Sequence, residues 1–220
     1  VEEIHNIEEK YAQAALRVKK SGFDGVEIHS TGYYLGQQFL SSVANVRTDE
    51  YGGSRENRIR FHLNIIRRIR ELCGNDFPIV VKFSATESGK DAGITVKDGI
   101  YYAKRLQDAG VDALEVLAGV WSSEKENTVK GSETECQTAG LCRILKQGIR
   151  KMTGKAPVIK TIGGGQVQHP QEAEQALESH QCEFIFVGRE LLVQPDFVKL
   201  IEEEREDEIK HCIGCGICSR

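Results

Sequence analysis

The sequence predicts an α/β fold in which parallel strands alternate with helices along the chain. Five short runs rich in apolar and β-branched residues are typical of buried strands, and each is followed by a stretch whose apolar residues recur at helical spacing. Each strand–helix unit spans roughly 25 to 55 residues, which is typical of a parallel sheet covered by helices. No short repeat or linker divides the 220 residues, so we expect one layered unit.

The elements follow in a regular order. Apolar residues from Ile4 to Val18 predict an opening helix, and Gly22 marks its end because glycine readily adopts a left-handed conformation. The predicted strands are residues 24–29, 79–84, 113–118, 158–163 and 184–188. The later predicted helices are residues 56–72, 95–109, 141–151 and 170–177, and a last one from about residue 195. Thr95 and Asp98 suit the N-cap and N3 positions of one helix, and Pro170 suits the first position of another.

This pattern leaves two architectures open. Five strand–helix units do not close an eight-stranded barrel, and the sequence begins inside a helix. The sheet is therefore either open and doubly wound, or part of a barrel from which strands are missing.

Composition excludes several classes of function. With 29 basic and 33 acidic side chains the formal net charge is −4, so no bulk basic field favours nucleic acid or an anionic membrane as a partner. No apolar run approaches the roughly 18 to 20 residues needed to span a bilayer, and the first ten residues are acidic, unlike a secretory signal. We expect a cytoplasmic protein without nucleic-acid or membrane partners; homo-oligomer formation stays open.

Two glycine-bearing turns follow the last two predicted strands. Gly163 and Gly164 end the fourth strand, and Gly188 with Arg189 follows the fifth. Glycine lets backbone N–H groups approach an anion, and a guanidinium suits a phosphate. A plain tight turn explains the glycines at 163–165 equally well, but the pair of turns matches the phosphate site that barrel enzymes build after their last two strands.

A possible reactive group lies at the tip of the first strand. His29 is followed by Gly32, Tyr33 and Tyr34. A histidine can bind a carbonyl oxygen, and a tyrosine hydroxyl can donate a proton while remaining neutral at working pH. Read by themselves, these residues fit a strand-end histidine and packed aromatics better than a catalytic pair.

A longer stretch is recognisable. Residues 22–29 and 32–61, together with the later runs at 79–84, 110–116, 162–166 and 187–197, resemble the Old Yellow Enzyme family of NADH:flavin oxidoreductases. The resemblance implies a (β/α)₈ TIM barrel that holds FMN at the C-terminal ends of its strands. Residues 1–208 would supply only about strands 4–8 and their helices, so the chain would be a piece lacking the first three strands.

The resemblance also implies roles for single residues. Tyr34 matches the tyrosine that protonates the alkene carbon opposite the hydride, and His29 matches a residue that holds the activating carbonyl. Gly32 stands where Asn or His is usual, which points to a subfamily with another substrate, such as the dienoyl-CoA reductase branch. Lys82 matches the cation beside the flavin N1/O2 edge. The cofactor contacts would thus be Lys82, Gly163, Gly164, Gly188 and Arg189, with NAD(P)H as reductant and a small alkene or enoyl-type molecule as substrate.

The segment at residues 209–220 carries three closely spaced cysteines. Cys212, Cys215 and Cys218 have spacing typical of a [4Fe–4S] site, with structural zinc as the main alternative. Their position resembles the branch that includes 2,4-dienoyl-CoA reductase and trimethylamine dehydrogenase, in which a cluster serves a later FAD-binding domain. Four other cysteines, namely Cys73, Cys136, Cys142 and Cys182, are expected to be buried and structural.

Two interpretations of function therefore remain. The first is an FMN-dependent NAD(P)H oxidoreductase that reduces activated C=C bonds. The second is a non-catalytic iron–sulfur or partner-binding fragment that has lost flavin binding.

Two segments have mainly structural explanations. Residues 47–54 are expected to form a fixed loop. Trp121 and the polar stretch after it fit a surface loop better than a segment that covers the flavin.

Overall fold

A five-stranded parallel sheet organises the protein. The structure is a computed structural model that describes residues 1–87, 93–119, 136–215 and 217–219; Trp121 lies outside these residues. The strands are β1 (Val26–Ser30), β2 (Ile79–Thr86), β3 (Ala113–Ala118), β4 (Lys160–Gly164) and β5 (Phe184–Phe186), hydrogen-bonded in sequence order. A doubly wound sheet reverses its strand order at a switch point, and this sheet has none. Its order is therefore that of consecutive strands in a barrel.

The helices pack on one face of this sheet. They are α1 (Glu2–Lys20), α2 (Leu35–Leu40), α3 (Arg55–Cys73), α4 (Val96–Asp108), α5 (Gln137–Thr153), α6 (Pro170–Glu178), α7 (Arg189–Val193) and α8 (Phe197–Glu202). Right-handed crossovers between sequential parallel strands place successive helices on the same side, and α1 packs on α3, α3 on α4, and α4 on α5. Within the described residues, no helix combines the length and apolarity needed to cross a membrane.

The predicted strands and the longer helices are confirmed. Thr95 and Asp98 form a reciprocal capping box at the start of α4, and Pro170 occupies the first turn of α6. Two short helices, α2 and α7, had no specific prediction because five or six residues are too few to show helical periodicity. Helix α5 begins at Gln137, four residues before the predicted start.

The core lies between the sheet and its helices. Ile65, Ile66 and Ile69 from α3 belong to the same core cluster as Val81 and Phe83 from β2, and all five are almost completely buried. Burying one such side chain contributes about 1.5–3 kcal/mol before entropy is counted. Because side chains alternate along a strand, the opposite face of the sheet carries the other residues of β1, Glu27 and His29, which are exposed.

The segment 47–54 forms a fixed loop, as the sequence predicts. Asn45 Nδ2 donates to the carbonyls of Phe39 (2.8 Å) and Tyr51 (2.7 Å), and the Tyr51 hydroxyl donates to Glu8 Oε1 in α1 at 2.9 Å. Ser54 then caps α3 by accepting the Asn57 N–H. These contacts join α1, α2 and α3.

An arginine at the other end of the sheet joins three elements. The Arg70 guanidinium in α3 donates to the carbonyls of Phe77 (2.5 Å) and Gly110 (2.6 Å) and to Asp112 Oδ2 (2.7 Å). The same carboxylate oxygen accepts the Ile79 N–H at 2.8 Å, where β2 begins. This cluster lies at the N-terminal ends of the strands, opposite the predicted site, so we interpret it as structural.

Candidate functional site

His29 and Tyr34 come together at the C-terminal end of β1. Their ring centroids are 5.6 Å apart, and 56% of the Tyr34 surface is exposed. A turn from Thr31 to Tyr34, closed by the Tyr34 N–H on the Thr31 carbonyl at 3.2 Å, brings the tyrosine back over the strand end. The family resemblance implies roles for both residues, and the structure places their rings side by side.

Gly32 explains how the two rings can meet. A Cβ built on Gly32 would lie 3.1 Å from the Tyr34 ring and 4.0 Å from His29 Nε2. Any side chain at this position would therefore press on Tyr34. The absence of a side chain on Gly32 leaves the space beside His29 open.

A row of charged side chains crosses the exposed face of the sheet at this level. Strand register places His29 beside Lys82 and Lys82 beside Glu115, and the Lys82 ammonium lies 2.6 Å from Glu115 Oε1. Partial burial and the Lys82 charge lower the pKa of His29, which favours a neutral imidazole. Burial and the Glu115 carboxylate raise the pKa of Glu27 to about 7. The sequence analysis missed both acidic residues, although each interrupts a largely apolar strand.

The glycines that end β4 have packing roles of their own. A Cβ on Gly163 would lie 2.9 Å from Ala139 Cα, and one on Gly164 would lie 2.5 Å from the Phe186 carbonyl oxygen. The Gly164 N–H already donates to Thr138 Oγ1 at 2.9 Å. Gly163 and Gly164 therefore let α5 and β5 approach β4 closely, and a phosphate role for them stays a prediction.

The second turn has a more open surface. Gly188 directly precedes α7, and a Cβ built on it would meet no atom within 4 Å. Gly188, Arg189 and Glu190 line a pocket of about 200 Å³, whose other walls are residues 166–168 and 212–214. Open backbone beside a guanidinium is a donor set suited to a phosphate group, and the phosphate role of this turn stays a prediction.

The cysteines divide as predicted. Cys73, Cys136, Cys142 and Cys182 are buried, whereas Cys212 is half-buried and Cys215 and Cys218 are exposed. In the residues that the structure describes, no three His, Cys, Asp or Glu side chains converge on a possible metal position, so the three thiols do not form a ligand set in this arrangement.

A buried carboxylate anchors the start of this cysteine segment. Glu190, only 2% exposed, accepts the Cys212 N–H at 3.0 Å and lies 2.7 Å from His211 Nδ1. The segment thus packs directly against the Gly188–Arg189 turn.

Residues 1–208 match the profile of the NADH:flavin oxidoreductase / NADH oxidase family. The chain belongs to this family. It is 40% identical over 217 residues to an NADH oxidase of Thermoanaerobacter brockii, covering 99% of this chain and 32% of that protein. A cinnamate reductase of Clostridium sporogenes is 32% identical over 229 aligned residues, which cover 97% of this chain and 33% of the reductase. The chain thus spans about a third of these relatives of the family.

Solved structures agree with this assignment to the NADH:flavin oxidoreductase family. A 2-naphthoyl-CoA reductase superposes with a TM-score of 0.85 and 28% identity, covering 98% of this chain and 31% of that one. An Old Yellow Enzyme homologue from Zymomonas mobilis gives a TM-score of 0.72 and 25% identity, covering 96% and 54% respectively. The five-stranded sheet therefore corresponds to part of the barrel of this family.

Proposed function

We propose that this chain forms about strands 4–8 of an FMN-binding (β/α)₈ barrel, and that the enzyme is an NAD(P)H oxidoreductase that reduces activated C=C bonds. The observation that carries the proposal is the exposed His29–Tyr34 pair, which lies at the same end of the sheet as Lys82 and the Gly188–Arg189 turn. Active sites of such barrels lie at this end of the strands, and membership of the flavin oxidoreductase family supports the cofactor.

The proposed cofactor site uses two cationic regions. Arg189 and the open backbone at Gly188 would hold the phosphate, with Gly163 and Gly164 shaping the neighbouring turn. Lys82 would place a positive charge at the pyrimidine edge of the flavin ring, partly offset by Glu115. The chemistry supplied by a bound FMN would be hydride transfer from NAD(P)H to the alkene.

The chain's own groups would polarise and protonate the substrate. A neutral His29 donates a hydrogen bond to the substrate's carbonyl oxygen, which draws electron density from the conjugated double bond. The Tyr34 hydroxyl donates a proton to the alkene carbon that does not receive the hydride. Because Gly32 adds no side chain, we propose an unsaturated acyl compound with a bulky group beside the carbonyl as substrate; relatives are named for cinnamate and 2-naphthoyl-CoA.

Tyr34→Phe tests this function. In the longest reading frame that contains these residues, loaded with FMN, the change should slow reoxidation of the reduced flavin by an alkene by about 10²–10⁴-fold. Flavin reduction by NAD(P)H should be unchanged, since no proton from Tyr34 is needed. Stopped-flow absorbance measures both steps, and Tyr33→Phe is the matched control. Equal slowing of both steps by Tyr34→Phe would show that Tyr34 is not the proton donor.

A second function is favoured by the anchored cysteine segment. Glu190 holds the Cys212 backbone while Cys215 and Cys218 remain exposed, as expected of a segment that offers thiols to an iron–sulfur cluster or a partner. Chromophore release and iron and sulfide analysis, performed anaerobically on this chain and on a version extended at its N-terminus, separate the two functions. Failure of the extended protein to take up FMN would exclude the reductase; iron with sulfide would support the [4Fe–4S] proposal over zinc. An FAD-binding domain would have to lie outside this chain.

A further inference from the structure

The turn that carries Tyr34 has an unfavourable backbone conformation. Its two central residues, Gly32 and Tyr33, both have positive φ angles, 65° and 61°. Glycine tolerates this left-handed backbone region, but the conformation destabilises a residue with a large side chain by about 1–2 kcal/mol. Such a conformation persists only where surrounding contacts hold it.

Hydrogen bonds to Tyr33 supply that restraint. Its N–H donates to Gln37 Oε1 at 2.9 Å, and its carbonyl accepts from Gln38 Nε2 at 2.6 Å. Gln38 is exposed, so water competes for its hydrogen bond. Gln37 is completely buried, so its hydrogen bond to Tyr33 lies in a region of low dielectric where such bonds are stronger.

A buried carboxylate orients the Gln37 amide. Gln37 Nε2 donates to Glu87 Oε1 at 3.0 Å, and the other Glu87 oxygen accepts from Ser41 Oγ at 3.0 Å and from the Gly93 N–H at 2.8 Å. A carboxylate only accepts hydrogen bonds when ionised, so the NH₂ group of Gln37 must face Glu87. The carbonyl oxygen of the amide then necessarily faces the Tyr33 N–H.

A hydroxyl group fixes the same amide from β2. Ser84 Oγ lies 3.2 Å from Gln37 Oε1, 2.9 Å from Thr31 Oγ1 and 3.0 Å from the Gly119 carbonyl. Thr31 is the first residue of the turn, so the network holds the turn at its beginning and at its centre. Together Gln37 and Ser84 therefore connect the turn to the C-terminal ends of β2 and β3.

We propose that Gln37 and Glu87 are positioning residues that hold the Gly32–Tyr33 turn and thereby place the Tyr34 ring beside His29. This inference rests on the proposed reductase function. Neither residue reaches the exposed face where a substrate would bind, so both act only through the turn. Loss of the amide would let the turn relax and move the hydroxyl relative to the substrate.

Gln37→Leu tests the proposal, with Gln107→Leu as a matched control. Gln107 also uses its amide oxygen to accept two backbone N–H groups, those of Val158 and Ile159, but at the opposite ends of the strands. Glu87→Gln is the second variant if Gln37→Leu does not fold, because it keeps the side-chain volume and removes the carboxylate. The full-length, FMN-loaded protein is used throughout.

Two measurements are made on each variant. Hydrogen exchange of the peptide covering residues 31–36 should quicken about tenfold in Gln37→Leu and Glu87→Gln and stay unchanged in Gln107→Leu. Stopped-flow absorbance should show that reoxidation of the flavin by the alkene is slowed about 10–100-fold in Gln37→Leu and Glu87→Gln, because moving a reacting group such as the Tyr34 hydroxyl by about 1 Å can slow a reaction by up to about 100-fold. Flavin reduction by NAD(P)H should be unaltered.

Each outcome decides the question. Unchanged exchange at residues 31–36 overturns the restraint on the turn, and faster exchange with both half-reactions slowed equally overturns its role in placing Tyr34. If the wild-type protein binds no FMN or does not reduce alkenes, the reductase function fails. The exchange measurement then still decides whether Gln37 and Glu87 hold the turn.

Discussion

His62 should make the stability of this protein depend on pH in a way that one substitution removes. The side chain is 1% exposed, its Nε2 lies 2.8 Å from Ser30 Oγ, and its Nδ1 has no hydrogen-bond partner among the described residues. Burial lowers its pKa from 6.5 to about 4, because the charged imidazolium would lose its hydration without gaining a partner.

The size of the effect follows from proton linkage. Between the two pKa values the unfolded chain binds a proton that the folded protein excludes, so stability is fully present above pH 6.5 and falls as the pH drops towards 4. At pH 5 this proton binding multiplies the equilibrium constant for unfolding by (1 + 10^1.5)/(1 + 10^−1), or about 30, which lowers the free energy of unfolding by about 2 kcal/mol. At pH 7 the same factor is close to 1, so His62 hardly changes the free energy of unfolding.

Urea unfolding at pH 7, 6 and 5 measures this contribution. Between pH 7 and pH 5 the free energy of unfolding should fall in both proteins, but by about 2 kcal/mol less in His62→Gln than in the wild type. The glutamine amide can still form a hydrogen bond with Ser30. Titrating carboxylates affect both proteins alike and cancel in the difference. His5→Gln removes an exposed histidine and should behave like wild type. If wild type and His62→Gln lose stability in parallel, the reasoning about His62 is refuted.

Two further predictions concern packing and can be checked by the same urea titrations at pH 7. Arg70→Met should destabilise the protein by about 1–3 kcal/mol because the Phe77 and Gly110 carbonyls and the Asp112 carboxylate lose their common donor. Arg67→Met on the exposed side of α3 should change stability by less than about 0.5 kcal/mol. Gly52→Ala should lower the free energy of unfolding by more than about 3 kcal/mol, because the added Cβ would lie 2.0 Å from the Arg47 carbonyl oxygen. Gly140→Ala should instead raise the free energy of unfolding by about 0.5–1 kcal/mol, because Gly140 lies in α5 with open space around it. Similar midpoints for the two glycine variants would contradict the second prediction.

The confirmed part of the sequence analysis rests on local patterns. The apolar, β-branched runs of β1 and β2, the capping box of α4 and the burial of the four scattered cysteines were predicted from residues within a few positions of one another. The proximity of His29 and Tyr34 could be expected for the same reason, since only four residues separate them.

Contacts between distant residues could not be predicted in this way. Glu87 lies 50 positions from Gln37, and His62 lies 32 positions from Ser30. A polar residue in an apolar run indicates that its side chain needs a hydrogen-bond partner, but it does not indicate which residue that partner is. The packing roles of Gly163 and Gly164 were also hidden, because the atoms that a Cβ would meet belong to α5 and β5.

Local periodicity was enough to predict the order of strands and helices and the strand-end position of His29 and Arg189, whereas the family was predicted from the resemblance of long sequence motifs. The tertiary structure decided which side chains meet: the Lys82–Glu115 ion pair, the buried amide behind Tyr33 and the carboxylate anchor beside Cys212. The physical reason is that helix and strand patterns reflect neighbours two to four residues apart, whereas strand register and helix packing join residues whose separation along the chain carries no signal.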